Sequence, residues 1–228
     1  ESIFTRPKQQ SAYGQGEGGT FGALAGASWG PKIEGQDVVN WNGKNESLAS
    51  YDNVGNYFSG SGVTKNTGVS FQQSIQKTSI YTSFNRMEDE SMIPGARLAR
   101  TNLMARAVAK FGKDERWTVD TKVQYTNAKA HNRTVGGPNG SNPFFLLNNF
   151  PRSLDIRQFK DATKADGNML WIGSGSGVNP YWARKYNLNQ DERDRFMLNA
   201  SLRYDITSWL NAEVKAGADT YTNNSNAK

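Results

Sequence analysis

Asn102-Leu103-Met104-Ala105-Arg106-Ala107-Val108-Ala109-Lys110-Phe111-Gly112-Lys113-Asp114-Glu115-Arg116-Trp117-Thr118-Val119-Asp120-Thr121-Lys122-Val123-Gln124-Tyr125 decides the fold class. Leu103, Ala105, Ala107, Ala109 and Phe111 alternate with Asn102, Met104, Arg106, Val108 and Lys110, a period of two that marks a strand. A polar turn at residues 112–115 follows. Trp117, Val119, Thr121, Val123 and Tyr125 then alternate in the same way, so the stretch predicts an antiparallel hairpin. A second hairpin obeys the same rule. Phe196, Leu198, Ala200, Leu202 and Tyr204 form one arm, and Leu210, Ala212, Val214, Ala216 and Ala218 the other, around a turn near residues 205–208.

Across these four strands one face carries no charge, whereas the other carries Arg106, Lys110, Asp120, Lys122, Arg195, Arg203, Asp205, Glu213, Lys215 and Asp219. A soluble β-sandwich alternates in this way too, so parity alone does not separate a lipid-facing wall from a packed core. Strand length and connection pattern add information. Runs of about ten or more residues suit a tilted crossing of a roughly 25 Å apolar band, longer than the usual five or six of globular strands. Weaker strand patterns lie at residues 2–13, 67–75 and 78–87, for about seven strands in all. Short turns are expected near Gln76, Gly112 and Ile206, and long connections at residues 14–66, 88–97 and 128–192. Short turns on one side and long loops on the other fit a transmembrane barrel. Phe111, Trp117, Tyr204 and Trp209 sit beside the short turns, where an aromatic girdle belongs, although aromatics favour strands generally. Residues 223–228 read as the start of another outer loop.

Composition narrows the chemistry. The 228 residues include no cysteine, which removes disulfides and thiolate metal sites, and one histidine, His131, which removes the usual zinc spacings. Mean hydropathy is −0.72, and no run approaches the roughly 18 apolar residues of a helical span. A barrel wall is untouched by that test, because only alternate residues face lipid. Lys and Arg number 27 against 21 Asp and Glu, a formal charge of +6, but the basic residues are scattered, so nucleic acid is not expected as a partner.

The long connections carry blocks of a different kind: Tyr13-Gly14-Gln15-Gly16, Ser28-Trp29-Gly30-Pro31-Lys32-Ile33-Glu34-Gly35-Gln36, Asp52-Asn53-Val54, Asn142-Pro143-Phe144-Phe145, Phe150-Pro151-Arg152-Ser153-Leu154-Asp155-Ile156, Asn179-Pro180-Tyr181-Trp182-Ala183 and Asp194-Arg195-Phe196. Together they resemble the SusC/RagA family of TonB-dependent outer-membrane transporters. The resemblance implies an all-β chain, an antiparallel segment of a larger barrel of about 22 strands closed around a plug. It further implies residence in a Gram-negative outer membrane of Bacteroidota, a SusD-like surface lipoprotein as lid, and energy from the TonB complex. The cargo would be oligosaccharide or oligopeptide, moved by binding and gated passage with no bond chemistry and no cofactor. Signal peptide, TonB-binding segment, plug and terminal strand are not recognisable, so the whole of residues 1–228 is expected to belong to the middle of one barrel domain, completed by other barrel and plug segments and by lipid.

The candidate residues divide by location. Loop aromatics Trp29, Trp41, Trp171, Tyr181 and Trp182 are candidates for stacking on a sugar or peptide, or for bracing the loops. Arg106, Lys110, Asp120, Lys122, Arg195, Arg203, Glu213 and Lys215 are expected to face the lumen. Residues 144–161 offer a short helix as a docking surface for the lid. Gly14-Gln15-Gly16-Glu17-Gly18-Gly19 satisfies G-x-G-x-x-G but lacks the following helix that a phosphate cradle needs, and 173–177 reads as a glycine-serine loop. Asp89-Glu90 and Asp191-Glu192 read as solvated charge, without the regular spacing of a calcium loop. No catalytic residue and no metal ligand is expected. The competing reading is a soluble all-β carbohydrate-binding module or glycosidase fragment.

Overall fold

The computed structural model describes residues 7–58, 60–172 and 177–227. Six strands form one antiparallel sheet in the order β10-β9-β8-β7-β6-β5, each paired with its neighbour in sequence. They are β5 (Val63–Ile75), β6 (Thr78–Glu90), β7 (Arg97–Phe111), β8 (Trp117–His131), β9 (Asn189–Asp205) and β10 (Asn211–Ala227). The hairpin read from residues 102–125 is present, with Phe111 opposite Trp117 and Leu103 opposite Tyr125. No described helix is long and apolar enough to cross a membrane.

The strands outrun the alternation that reveals them. β7 begins five residues before Asn102 and β8 continues six past Tyr125, where charged residues break the apolar parity. Two expectations are corrected at the ends. Residues 2–6 lie outside the described part, and 7–13 form no strand, with only a single bridge from Tyr13 to Lys32. The Gln10 carboxamide instead accepts from the amides of Ala12 and Tyr13, and Gln9 Nε2 reaches the Asn148 carbonyl, so local side-chain bonds turn the chain away from the ladder. The large sheet therefore has six strands rather than seven. Residues 223–227 continue β10 rather than opening a loop, because Asn223 through Ala227 pair with Arg193 through Asn189.

Three connections are tight: residues 76–77, 112–116 and 206–210. In the last, Thr207 Oγ1 accepts from the amides of Trp209 and Leu210. At the opposite edge the link from β6 to β7, expected to be long, is only residues 91–96. The segment that precedes β5 and the connection of residues 132–188 from β8 to β9 are long and build a separate layer. It contains two small hairpins, β1 (Gly16–Glu17) with β2 (Thr20–Phe21) and β3 (Asp37–Val39) with β4 (Asn45–Ser47), and the helices α1 (Asn53–Tyr57), α2 (Pro143–Asn149) and α3 (Pro180–Tyr186). Each helix has its start signal in the sequence. Asp52 accepts from the Gly55 amide, Asn142 from Phe144 and Asn179 from Tyr181, with Pro at the first turn of α2 and α3.

Nearly all of the buried apolar side chains lie in this layer. Leu154, Ile156 and Phe159 are fully buried, joined by Leu147, Phe150, Tyr57, Phe58 and Tyr181. Polar groups inside it are matched. Asn53 Nδ2 donates to the Leu154 carbonyl and its Oδ1 accepts from the Ile156 amide, and the fully buried Asn179 donates to the carbonyls of Phe159 and Leu170.

Candidate functional site

Strand register turns parity into two surfaces. Residues directly opposite each other share a face, so Phe111, Trp117, Tyr204 and Ala212 form one row across four strands. Above it lie Ile75, Thr78, Ala109, Val119, Leu202 and Val214, and then two further rows built mostly of Ala, Val, Thr, Ile and Leu. The fifth row is Val69, Phe84, Leu103, Tyr125, Phe196 and Thr220. None of these five rows contains a charge. The next row adds Arg86 and Asp194, and the one after it Lys65, Glu88, Lys129 and Glu192.

The uncharged band has aromatics at both margins. On the short-turn side Trp117 sits 6.3 Å from Phe111 and 4.5 Å from Tyr204, ring to ring. On the other side Phe84, Tyr125 and Phe196 stand in a single row, and the Tyr125 hydroxyl donates to Asp194 in the first charged row. From Phe111 to Leu103 is eight residues, about 27 Å along a strand and about 20 Å in height at a tilt of about 40°. The second aromatic row was missed in the sequence because one aromatic per strand carries no signal until register aligns them. No second layer covers the band among the described residues: Phe71, Leu103, Phe196, Leu198, Leu202 and Val214 keep 40–74% of their surface open.

The opposite face carries all eight of the polar residues expected to point into a lumen. Arg106 pairs across β7 and β8 with Asp120, Nε to Oδ1 at 2.9 Å, and Arg195 pairs across β9 and β10 with Asp219 at the same distance. Arg203 Nε donates to Asp205, and Lys215 lies 3.2 Å from Glu213. Lys110 and Lys122 form no ion pair among the described residues. Arg106 lies opposite Lys122, level with the middle of the uncharged band on the other side of the sheet. Most of these charges are therefore compensated within or between neighbouring strands, in exposed pairs that solvent screens.

The loop aromatics do not converge on a common cleft. Trp41 packs on Phe159 with ring centroids 4.7 Å apart and donates Nε1–H to Gln158. Trp171 stacks on Phe150 at 5.4 Å, Trp182 lies 4.2 Å from Tyr186, and Tyr181 is buried edge-on to Tyr57. Four of the five candidates thus brace the layer, since each has a ring face or its whole body taken up by neighbours. Trp29 differs: it is 65% exposed, with Tyr13 alongside at 6.1 Å. Residues 144–161 are likewise core more than surface, with α2 followed by the tight turn Ile156–Phe159, which Asp155 caps at the Arg157 amide.

The glycine-rich motif resolves as architecture. The amides of Gly14, Gly16 and Gly19 donate to the carbonyls of Pro31, Ala27 and Trp29, leaving no cradle of free N–H groups for phosphate. Gly30 closes the same strap: a Cβ there would stand 2.3 Å from the Gln15 carbonyl oxygen. Residues 173–176 of the second glycine run lie outside the described part. His131 ends β8, and no group of His, Asp and Glu among the described residues is arranged to hold a metal.

Two titrating groups mark how tightly the layer is tied. Glu46 accepts from Asn40 Nδ2 at 2.6 Å, from Asn42 at 3.2 Å and from Gln158 at 3.1 Å. Burial works against its charge, but those donors and nearby Lys44 outweigh it and hold the carboxyl below its ordinary value. The Tyr57 hydroxyl, which donates to the Pro180 carbonyl, is pushed up to about 12 by burial, against the opposing charge of Arg184. No protein-family profile matches the chain, and no curated protein matches it significantly.

Proposed function

We propose that this chain forms part of the wall and outer loops of a SusC-like TonB-dependent transporter, which imports oligosaccharide or oligopeptide across a Gram-negative outer membrane beneath a SusD-like lipoprotein. One observation carries the proposal: an uncharged, uncovered band of five side-chain rows, margined by aromatics on both sides and backed by charge at mid-height. Lipid solvates such a band, and water or a plug solvates the charged face. A β-sandwich needs a second sheet over the same rows. The edge strands β5 and β10, each left with an unpaired side in the sheet, fit continuation by further barrel strands, since open edges of this length are otherwise hazards for aggregation. The buried loop layer, stiff and standing beyond the charged rows, fits an extracellular platform for lid and cargo.

The test is fractionation of cells that make the native protein. The proposal expects the sequence within a detergent-extracted outer-membrane species far larger than 25 kDa, or held by complementary barrel fragments, with a surface lipoprotein copurifying. A monomer of this size that stays in solution without detergent overturns it in favour of the soluble module.

A further inference from the structure

A cavity of about 170 Å³ lies where the loop layer meets the ends of β8 and β9, walled by Tyr57, Pro143, Pro180, Arg133, Arg184 and Asn132 among others. Its lining holds two guanidinium groups and no carboxylate. Arg133 is partly engaged, its Nη2 3.1 Å from Asp191. Arg184 forms no ion pair or hydrogen bond among the described residues; its guanidinium carbon lies 5.8 Å from the centre of the Tyr181 ring, and its charge acts on the Tyr57 hydroxyl. Arg184 is exposed, so its guanidinium is open to a ligand arriving from solvent.

Arg184 is also well placed. It stands on α3, whose cap Asn179 is fully buried and tied to two carbonyls of the core. Its stem packs on Gly95, where the backbone is left-handed at φ 84° and a Cβ would meet Arg184 Cγ at 3.0 Å. Asn132 Nδ2 donates to the Gly95 carbonyl at 3.4 Å, joining the turn 91–96 to the end of β8. Beyond Arg184 a second, more open cavity of about 460 Å³ shares Pro94, Asn132 and Arg184 with the first and adds Arg97 and Glu90, whose charges cancel.

We infer that this junction binds the carboxylate of an acidic end group, a uronic acid or a peptide C-terminus, with Arg184 as the principal partner and the rest of the oligomer extending into the larger cavity. A guanidinium grips a carboxylate through two parallel hydrogen bonds, which selects charge and plane together. The smaller cavity falls below the roughly 300–1,000 Å³ of sites that enclose a drug-sized ligand, so it suits one terminal residue and not a chain. The inference rests on the importer proposal for its assignment to cargo, but it is tested by binding alone.

The experiment is calorimetric titration of the purified native protein with four probes: trigalacturonate, galactotriose, trialanine and trialanine amide. At least one acidic probe should bind tenfold or more tightly than its neutral counterpart, and which one does so assigns the source as sugar or peptide. Arg184→Gln should abolish that preference, and Arg133→Gln should reduce it by a smaller factor. Equal binding of acidic and neutral probes, or a preference that survives Arg184→Gln, overturns the inference. A membrane-embedded protein that binds neutral oligomers equally well leaves the importer proposal standing, whereas a soluble protein that prefers acid ends overturns that proposal and keeps this site.

Discussion

The sheet and the loop layer are made by opposite means. In the sheet long ladders pair the backbone everywhere but along the outer sides of β5 and β10, yet only Ala130 among its apolar side chains is buried. In the layer regular structure is brief, with helices of five to seven residues, but Leu154, Ile156 and Phe159 are sealed from solvent. Such helices are too short to stand by propensity and hold only because packing and side-chain caps fix them. The layer makes its own interior, whereas the sheet presents an uncharged face and a charged face, neither of which it covers itself.

That contrast breaks first at the core of the layer. Phe159→Ala should cost about 3–5 kcal/mol locally. Hydrogen exchange should accelerate across α1, α2 and the turn Ile156–Phe159 while protection of β7 to β9 stays unchanged, and equal loss of protection in both regions would show that they form a single cooperative unit. The sheet is next. Ala107→Arg places a charge at mid-height of the uncharged band and should destabilise the embedded protein by about 2–4 kcal/mol, whereas Arg106→Ala, one residue away on the charged face, should cost far less. Denaturant titration in detergent or lipid reads both, and similar costs at the two positions would remove the distinction between the faces.

A smaller effect is expected at the clamp on Glu46. Because its carboxyl is held below the ordinary 4.5, the contribution is complete above that pH in the unfolded reference and is lost as pH falls through the lower folded value. Trp41, which shares Gln158 with Glu46, reports on it. Its fluorescence should change reversibly below about pH 4.5, and Glu46→Gln should flatten that change.

Residues 102–125 made the sheet legible because alternation needs no partner to be seen. Register did not show itself in the sequence. The row Phe84, Tyr125, Phe196 exists only once three strands are aligned, and the outer ends of β7 and β9 are charged on both faces while β8 sets Lys129 on the otherwise apolar one, so parity stops before the strand does. The edge strand β5 alternates only over its second half, Val69, Phe71 and Ile75 against Gly68, Ser70, Gln72 and Ser74, and its polar first half is held by pairing with β6. The candidate site was the least legible part. Trp41, Trp171 and Tyr181 resemble ligand platforms when seen as letters, and only packing against Phe159, Phe150 and Tyr57 shows them occupied. Arg184 drew no notice in the sequence, since an arginine at the end of a short helix is ordinary until the fold sets it beside Arg133 in a cavity lined by no carboxylate.

The absence of cysteine from the chain allows the most direct test of the two-sided sheet. An environment-sensitive fluorophore would be attached in turn to Ala107→Cys and Arg106→Cys, adjacent on β7, in the native protein reconstituted into bilayers containing brominated lipid. Strong quenching at position 107 with little at 106 is the predicted result. Quenching at neither position, in a protein that also stays in solution without lipid, would contradict it and place the uncharged rows against protein.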